Sequence, residues 1–280
     1  MPFLVQAEAA YSVTQRSTAL LNIHALQTPD QELAEETFTL DPAVDCEEFL
    51  SLTGQNRYIR LDTGDATALT VHYSAKVTTR HQEIPRSEIE AVPVARMDPD
   101  SLPYLFPSRY CQSDQLGRLA WKEFGELSHP YQKAAAITAW IHANVEYISG
   151  STDSGTSAAD TLTQRAGVCR DFAHLGIALC RALSIPARYL TCYAHQLDPP
   201  DFHACFEACI GNRWFVFDAT RLAPLNGLVR IANGRDAADA SIATVFGGMH
   251  VEKMTVSCLA EGSFDPLPPD VVETRGIILA

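Results

Sequence analysis

A chain of 280 residues, 46% hydrophobic and 20% charged, has the composition of an ordinary globular protein with room for one large domain or two medium ones. Thirty-four acidic against 21 basic side chains leave a net charge of −13, which argues against nucleic acid and anionic membrane as partners. No stretch of 18 apolar residues occurs, and the opening residues carry no basic cluster but do carry Glu8, so the expectation is a cytoplasmic protein with no membrane span. The eight cysteines contain no CxxC pair and read as reduced thiols, which gives no case for a zinc ribbon, a bound metal or a cofactor.

Residues 1–85 read as strands. Leu69, Val71, Tyr73 and Ala75 alternate with Thr70, His72 and Ser74 after a Thr63-Gly64-Asp65 turn, the period of a half-buried strand, and the region is expected to be a small β-sandwich-like domain. Residues 86–127 are a proline-punctuated connection with short helices, Ser113–Phe124 among them. From 128 to 280 a second domain is expected. Its first helix spans Tyr131–Ile148, with Ser128 and Pro130 suited to its start. A polar loop, a short helix Ala158–Arg165 and a nearly all-apolar helix Cys169–Leu183 follow, the last therefore central and buried. Ala187–Ala194, Phe202–Ile210, Trp214–Asp218 and Val251–Leu259 return to the strand period. Helices followed by strands make an α+β domain on a mostly antiparallel sheet.

The chemistry concentrates at three residues. Cys169 follows Ala166-Gly167-Val168 and opens the buried helix, where free N–H groups and the positive dipole end stabilise a thiolate and can receive an oxyanion. His203 and Asp218 lie on two strands joined by Gly211-Asn212. A two-residue turn there sets residue i opposite residue 423 − i, so Cys205 faces Asp218 and His203 becomes Asp218's diagonal neighbour on one face. A carboxylate at that distance holds an imidazole in one tautomer and orientation. A slip of one residue would put the pair on opposite faces. Tyr193 is a second oxyanion candidate beside the Cys169 N–H. A metal site from His203, Cys205 and Cys209 is the competing use of the same strand, but three positions on one strand spread too far for one ion. Asp171, in the first helical turn, serves the helix; His174 packs; Trp140 and Trp214 line the core or a cleft; Asp236 caps a turn or binds Arg235.

The segment Thr163–His174, with Gly167-Val168-Cys169-Arg170-Asp171 at its centre, resembles the nucleophile segment of the transglutaminase-like superfamily. Leu183–Tyr189, Phe202–Glu207 and Trp214–Thr220 are similar to the segments that follow it there, and Leu102–Asp114 with Gly234–Asp239 resemble the bacterial transglutaminase-like cysteine protease branch. The resemblance implies a papain-like transglutaminase core after a β-rich N-terminal domain, with Cys169, His203 and Asp218 as the catalytic triad. It implies thiol-dependent acyl transfer on peptide or carboxamide bonds through a thioester, with water as the default acceptor. The alternatives are an amine acceptor, which makes a protein-glutamine transglutaminase, or a catalytically silent scaffold or peptide-binding module; an arylamine-type acyltransferase would need a site for a thioester cofactor, to which the acidic balance and the missing basic patch give no support. A peptide or protein substrate is the expected partner, with homo-oligomerisation left open.

Overall fold

The computed structural model describes residues 1–52 and 56–279, and its first third is strand. β1 (Pro2–Leu21), β2 (Gln31–Asp41), β3 (Asp45–Leu50), β4 (Arg57–Asp62) and β5 (Ala68–Thr79) belong to one antiparallel sheet. The alternating positions of β5 are buried as their period requires, and large faces small across the pairing: Ala7 opposite Tyr73, Val5 opposite Ala75. β6 (His81–Pro85) leaves that sheet for the proline-rich stretch, which is wound into 3-10 turns at Arg86–Glu88, Val94–Arg96 and Pro99–Leu105. Fixed φ angles at the prolines favour such tight turns over a continuous helix.

Four helices come next: α1 (Ser113–Phe124), α2 (Pro130–Asn144), α3 (Ala158–Gln164) and α4 (Cys169–Ala182), with the two-residue strands β7 (Glu146–Tyr147) and β8 (Ala166–Gly167) between them. Two boundaries differ from the sequence expectation. The cap of α2 is His129 rather than Ser128, its Nδ1 accepting from the Tyr131 N–H at 3.1 Å. The helix stops at Asn144, because Val145 is extended and Glu146 and Tyr147 pair in parallel with Ala166 and Gly167. That pairing captures the last four residues of the expected helix. As its composition predicts, α4 is buried on nearly every side.

Helix α4 lies against a four-stranded antiparallel sheet of order β11-β10-β9-β12, formed by β9 (Ala187–Ala194), β10 (Phe202–Ile210), β11 (Arg213–Phe217) and β12 (Leu228–Gly234). This is the α+β arrangement expected. Contact between helix and sheet is closest at Gly176, where a Cβ would stand 2.5 Å from the Phe206 ring. A short α5 (Ala237–Ala240), β13 (Ala243–Ala260) and β14 (Arg275–Leu279) complete the chain.

The C-terminal strands are where sequence and structure part. β13, expected in the helix-backed sheet, instead pairs with β1, from Phe3 opposite Ala260 to Leu21 opposite Ala243. The reason is length. β5 and β4 pair only Pro2–Ser12 and Thr18–Leu21 on one edge of β1, leaving its other edge open to a strand just as long. β14 pairs with β6, and Tyr131 donates its hydroxyl to Val272 O (2.9 Å) and Arg275 O (2.7 Å), tying the tail to α2.

Strand β12 is a buried edge of the helix-backed sheet, and its backbone is satisfied in part by side chains from the N-terminal region. Gln31 accepts from Arg230 N (2.8 Å) and donates to Arg230 O (2.9 Å); Asn56 accepts from Asn233 N (2.9 Å) and donates to Asn233 O (2.7 Å). Each primary amide imitates one residue of a neighbouring strand and joins the two sheets through polar groups that burial would otherwise leave unpaired. Below them Glu207 is fully buried; burial opposes its charge, but Arg188 (2.6 Å) and Arg230 (3.3 Å) hold its carboxyl below the usual range. Among the described residues, no helix is long and apolar enough to cross a membrane.

Replacing Gly176 by Val forces atoms into the Phe206 ring, and overpacking of this kind destabilises by about 1–3 kcal/mol. The urea midpoint of G176V is expected to fall accordingly, and an unchanged midpoint would show that α4 and β10 can separate freely.

Candidate active site

Cys169 is the first residue of α4. Gly167 two residues earlier leaves room for Asp171, since a Cβ there would meet the Asp171 side chain at 2.8 Å. The Asp171 carboxylate then reaches back to accept from Val168 N (2.9 Å) and also takes the Thr152 hydroxyl (2.6 Å) and Arg170 (3.0 Å). The Gly-Val-Cys-Arg-Asp order is thus a local device: Asp171 caps the helix, as expected of it, and fixes the direction of the first turn. The Cys169 side chain is half-buried, and the cysteine's own N–H lies in the first turn, where no helical carbonyl is available.

The turn linking β10 to β11 is Gly211-Asn212, with φ of 60° and 58°, as a two-residue hairpin turn of matching twist demands. The register that follows runs from Ile210 opposite Arg213 to Phe206 opposite Phe217, the pairing expected from the sequence. His203 and Asp218 lie just beyond the paired segment. His203 Nε2 stands 2.9 Å from Asp218 Oδ2, with the two residues 1% and 6% exposed. Asp218 Oδ1 accepts from the Thr220 N–H (2.8 Å) and hydroxyl (2.7 Å), so both carboxylate oxygens are engaged.

The Cys169 sulfur lies close enough to His203 to act on the imidazole. Since Nε2 is taken by Asp218, Nδ1 is the nitrogen left for the thiol. Burial opposes charge on the imidazole, but the Asp218 carboxylate and the Cys169 sulfur outweigh it and hold His203 protonated well above its ordinary range. Burial likewise opposes the Asp218 charge, and the His203 cation with the Thr220 donors keeps that carboxyl below its ordinary value.

A second thiol stands close by. Donor atoms of His203, Cys205 and Asp218 lie within 4.8 Å of one another, a set that in kind suits a zinc ion. Burial, then the neighbouring Cys192 and the Asp218 charge, push the Cys205 thiol well above its ordinary range. Cys209, the other sulfur considered from sequence, lies four residues along the strand, about 13 Å at strand rise, and does not join this group.

Tyr193 is placed elsewhere. Its hydroxyl donates to Ile23 O at 2.7 Å, in the junction between the sheets, because its strand position turns it toward β1's end. The residue that reasoning from sequence missed is Tyr147. Pairing of Tyr147 opposite Gly167 brings its ring against Phe172, with its hydroxyl near enough to Cys169 to feel the charge there. Burial and the Cys169 charge push that phenol up to about 12, so it stays a donor. The signal was the β-favouring Val145-Glu146-Tyr147 after a helical stripe; reading the stripe through to Ile148 concealed it.

The remaining residues do what local chemistry asks. His174 is buried between Tyr110 and Tyr189, its Nε2 accepting from Ala237 N at 3.1 Å, and burial lowers its basicity well below normal. Asp236 caps α5 at Ala238 N (2.9 Å) and also takes Tyr110 N (2.9 Å), while Arg235 pairs with Asp239 (2.8 Å). Trp214 lies under Arg188, 4.1 Å from its guanidinium, and Trp140 packs on Phe124.

Comparison with known proteins gives a consistent pattern. Residues 120–219 match the family described as the transglutaminase-like superfamily, and residues 1–100 match the bacterial transglutaminase N-terminal domain. A Cytophaga hutchinsonii crystal structure, described as that of a candidate cysteine protease, is 52% identical, covers 100% of this chain and 98% of that one, and superposes with a TM-score of 0.97. An uncharacterised Mycobacterium leprae protein is 29% identical over 188 residues, 62% of this chain and 66% of that protein. An uncharacterised Mycobacterium tuberculosis protein is 43% identical over 60 residues, 21% of this chain and 19% of that protein.

The raised His203 and lowered Asp218 have opposite pH signatures. His203 contributes stability in full below about pH 6.5, lost as pH rises through its folded value; Asp218 contributes above about pH 3.9, lost as pH falls through its own. The stability difference between wild type and D218N is therefore expected to be largest between about pH 4 and 6.5, read from urea midpoints across pH. A difference that stays flat with pH would mean the pair is not ionised.

Proposed function

This chain belongs to the transglutaminase-like superfamily, and from that premise we propose that it is a thiol-dependent hydrolase of peptide or carboxamide bonds, with Cys169 as nucleophile, His203 as base and acid, and Asp218 as the group that orients His203. The observation that carries the assignment is the buried His203 ring, bound to Asp218 through Nε2 at 2.9 Å and under the influence of the Cys169 sulfur. Cys205 also lies near the imidazole but is buried, and its thiol resists ionisation. Cys169 is only half-buried and stands at a helix start, where a substrate carbonyl can reach it.

In the reaction the Cys169 sulfur attacks the carbonyl carbon, and the carbonyl oxygen becomes an oxyanion received by the Cys169 N–H and the Tyr147 hydroxyl. Collapse breaks the C–N bond while His203 gives its proton to the leaving amine, and a thioester remains. His203 then takes a proton from water as that water attacks, and the acid leaves with the thiol restored. Asp218 keeps the imidazole aimed and stabilises its charged form through both proton transfers.

One observation favours an amine as a second acceptor. Asp201, two residues before His203, is exposed, and its charge acts on both His203 and Tyr147. A carboxylate so placed attracts a cationic amine toward the thioester. The eight free cysteines support a reducing compartment such as the cytoplasm.

Iodoacetamide labelling located by peptide mass spectrometry tests the assignment. Cys169 is expected to react below pH 7 much faster than a free thiol does, and H203A to lose that advantage, with C205A keeping it. Labelling that follows Cys205, or that ignores His203, would sink the triad and leave the scaffold reading. Y147F is expected to keep the fast labelling but to lower kcat on a glutamine-amide peptide by about 10²-fold, the loss of one oxyanion donor. Unchanged turnover would remove Tyr147 from the mechanism.

A further inference from the structure

Beside Asp218 the surface opens into a groove of about 240 Å³. Asp218 forms part of its wall, so the groove shares one residue with the proposed catalytic centre. The other walls are apolar and stiff, with Leu222, Leu225 and the Pro266-Leu267-Pro268-Pro269 run among them. Two charged residues line it, Asp218 and Arg221.

Arg221 has no obvious structural employment. No carboxylate lies within ion-pair distance of its guanidinium among the described residues, although the chain carries 34 acidic side chains. Its Nε is buried and has no hydrogen-bond partner. A buried donor left unpaired is unfavourable by about 1–3 kcal/mol, so its persistence calls for a reason. Nor can Asp218 serve as its partner, because that carboxylate is committed to His203 and Thr220. The backbone at Arg221 is left-handed, with φ of 58°, directly after the turn closed by Thr220 on Asp218. The residue is thus held at the groove by the same turn that builds the proposed triad.

We propose that this groove is a substrate subsite in which Arg221 binds the carboxylate of an acidic side chain on a bound peptide. The proposal rests on the reading of the protein as a peptide- or amide-directed thiol enzyme, and it specifies the substrate class. A guanidinium with no carboxylate partner among the described residues can take one from a ligand through its terminal nitrogens, and the apolar walls accept the methylenes of a glutamate. The overall charge of −13 repels acidic peptides at long range, so the preference is local and belongs to this groove.

The test is protection of Cys169 from iodoacetamide by capped hexapeptides that contain one central Gln. The peptides differ in a single position, two or three residues to either side, filled by Glu, Gln or Lys. Protection reads occupancy whether or not turnover occurs. The Glu peptide of the matching position is expected to protect at about tenfold lower concentration than its Gln counterpart. R221Q is expected to abolish that difference and R221E to favour the Lys peptide, each read against that variant's own unprotected labelling rate. A preference for Glu that survives R221Q, or protection indifferent to charge, overturns the subsite and leaves the enzyme assignment standing. Absence of protection by every peptide overturns the peptide-substrate reading and the subsite with it.

Discussion

The register of one hairpin governs the rest. With Gly211 and Asn212 both in the left-handed region, β10 and β11 meet so that Phe206 stacks on Phe217 toward α4 and His203 falls beside Asp218. The two consequences are inseparable, because a shift of one residue turns every side chain to the other face. The aromatic pair that fixes the register by packing therefore also fixes the hydrogen bond that orients the imidazole. Gly176 completes the constraint, since any larger residue would lift α4 and with it Cys169.

Around this hairpin the chain invests polar groups where a smaller protein would use only apolar packing. Arg181 is nearly buried and binds Phe106 O and Ser108 from the proline-rich segment, Ala187 O at the start of β9, and Arg235 O after β12. Asp236 accepts from the Tyr110 backbone. The Leu102–Asp114 and Gly234–Asp239 segments, far apart in sequence, are thus the two sides of one brace against the nucleophile helix. Gln31 and Asn56 do the equivalent for β12. These contacts are directional, so they specify one mutual placement of the sheets, whereas apolar contact alone tolerates sliding.

The same economy appears at the site. The turn from Asp218 to Leu222 engages one carboxylate oxygen, leaves the other for His203, and delivers Arg221 to the groove. Tyr147 reaches Cys169 because β7 pairs with β8 immediately before α4. The proposed nucleophile, the proposed base and both candidate binding groups are each set by a short, local backbone feature. The large sheets only bring those features together.

Read by itself, the sequence determined whatever depends on neighbours along the chain. The period of β5, the apolar surround of α4, the Gly-Asn turn and its register are local, so Cys169, His203 and Asp218 could be named from spacing together with family resemblance. Interactions without local pattern were decided only by tertiary structure. Nothing in Ala243–Ala260 states which sheet it joins; the open edge of a 20-residue β1 decides that. Nothing in Val145–Tyr147 outweighs the preceding helical stripe until Ala166 and Gly167 offer backbone partners. Tyr193 and Tyr147 are equally plausible donors in one dimension. A carbonyl at Ile23 takes the first, and Cys169 receives the second, because hydrogen-bond partners are chosen by proximity in space.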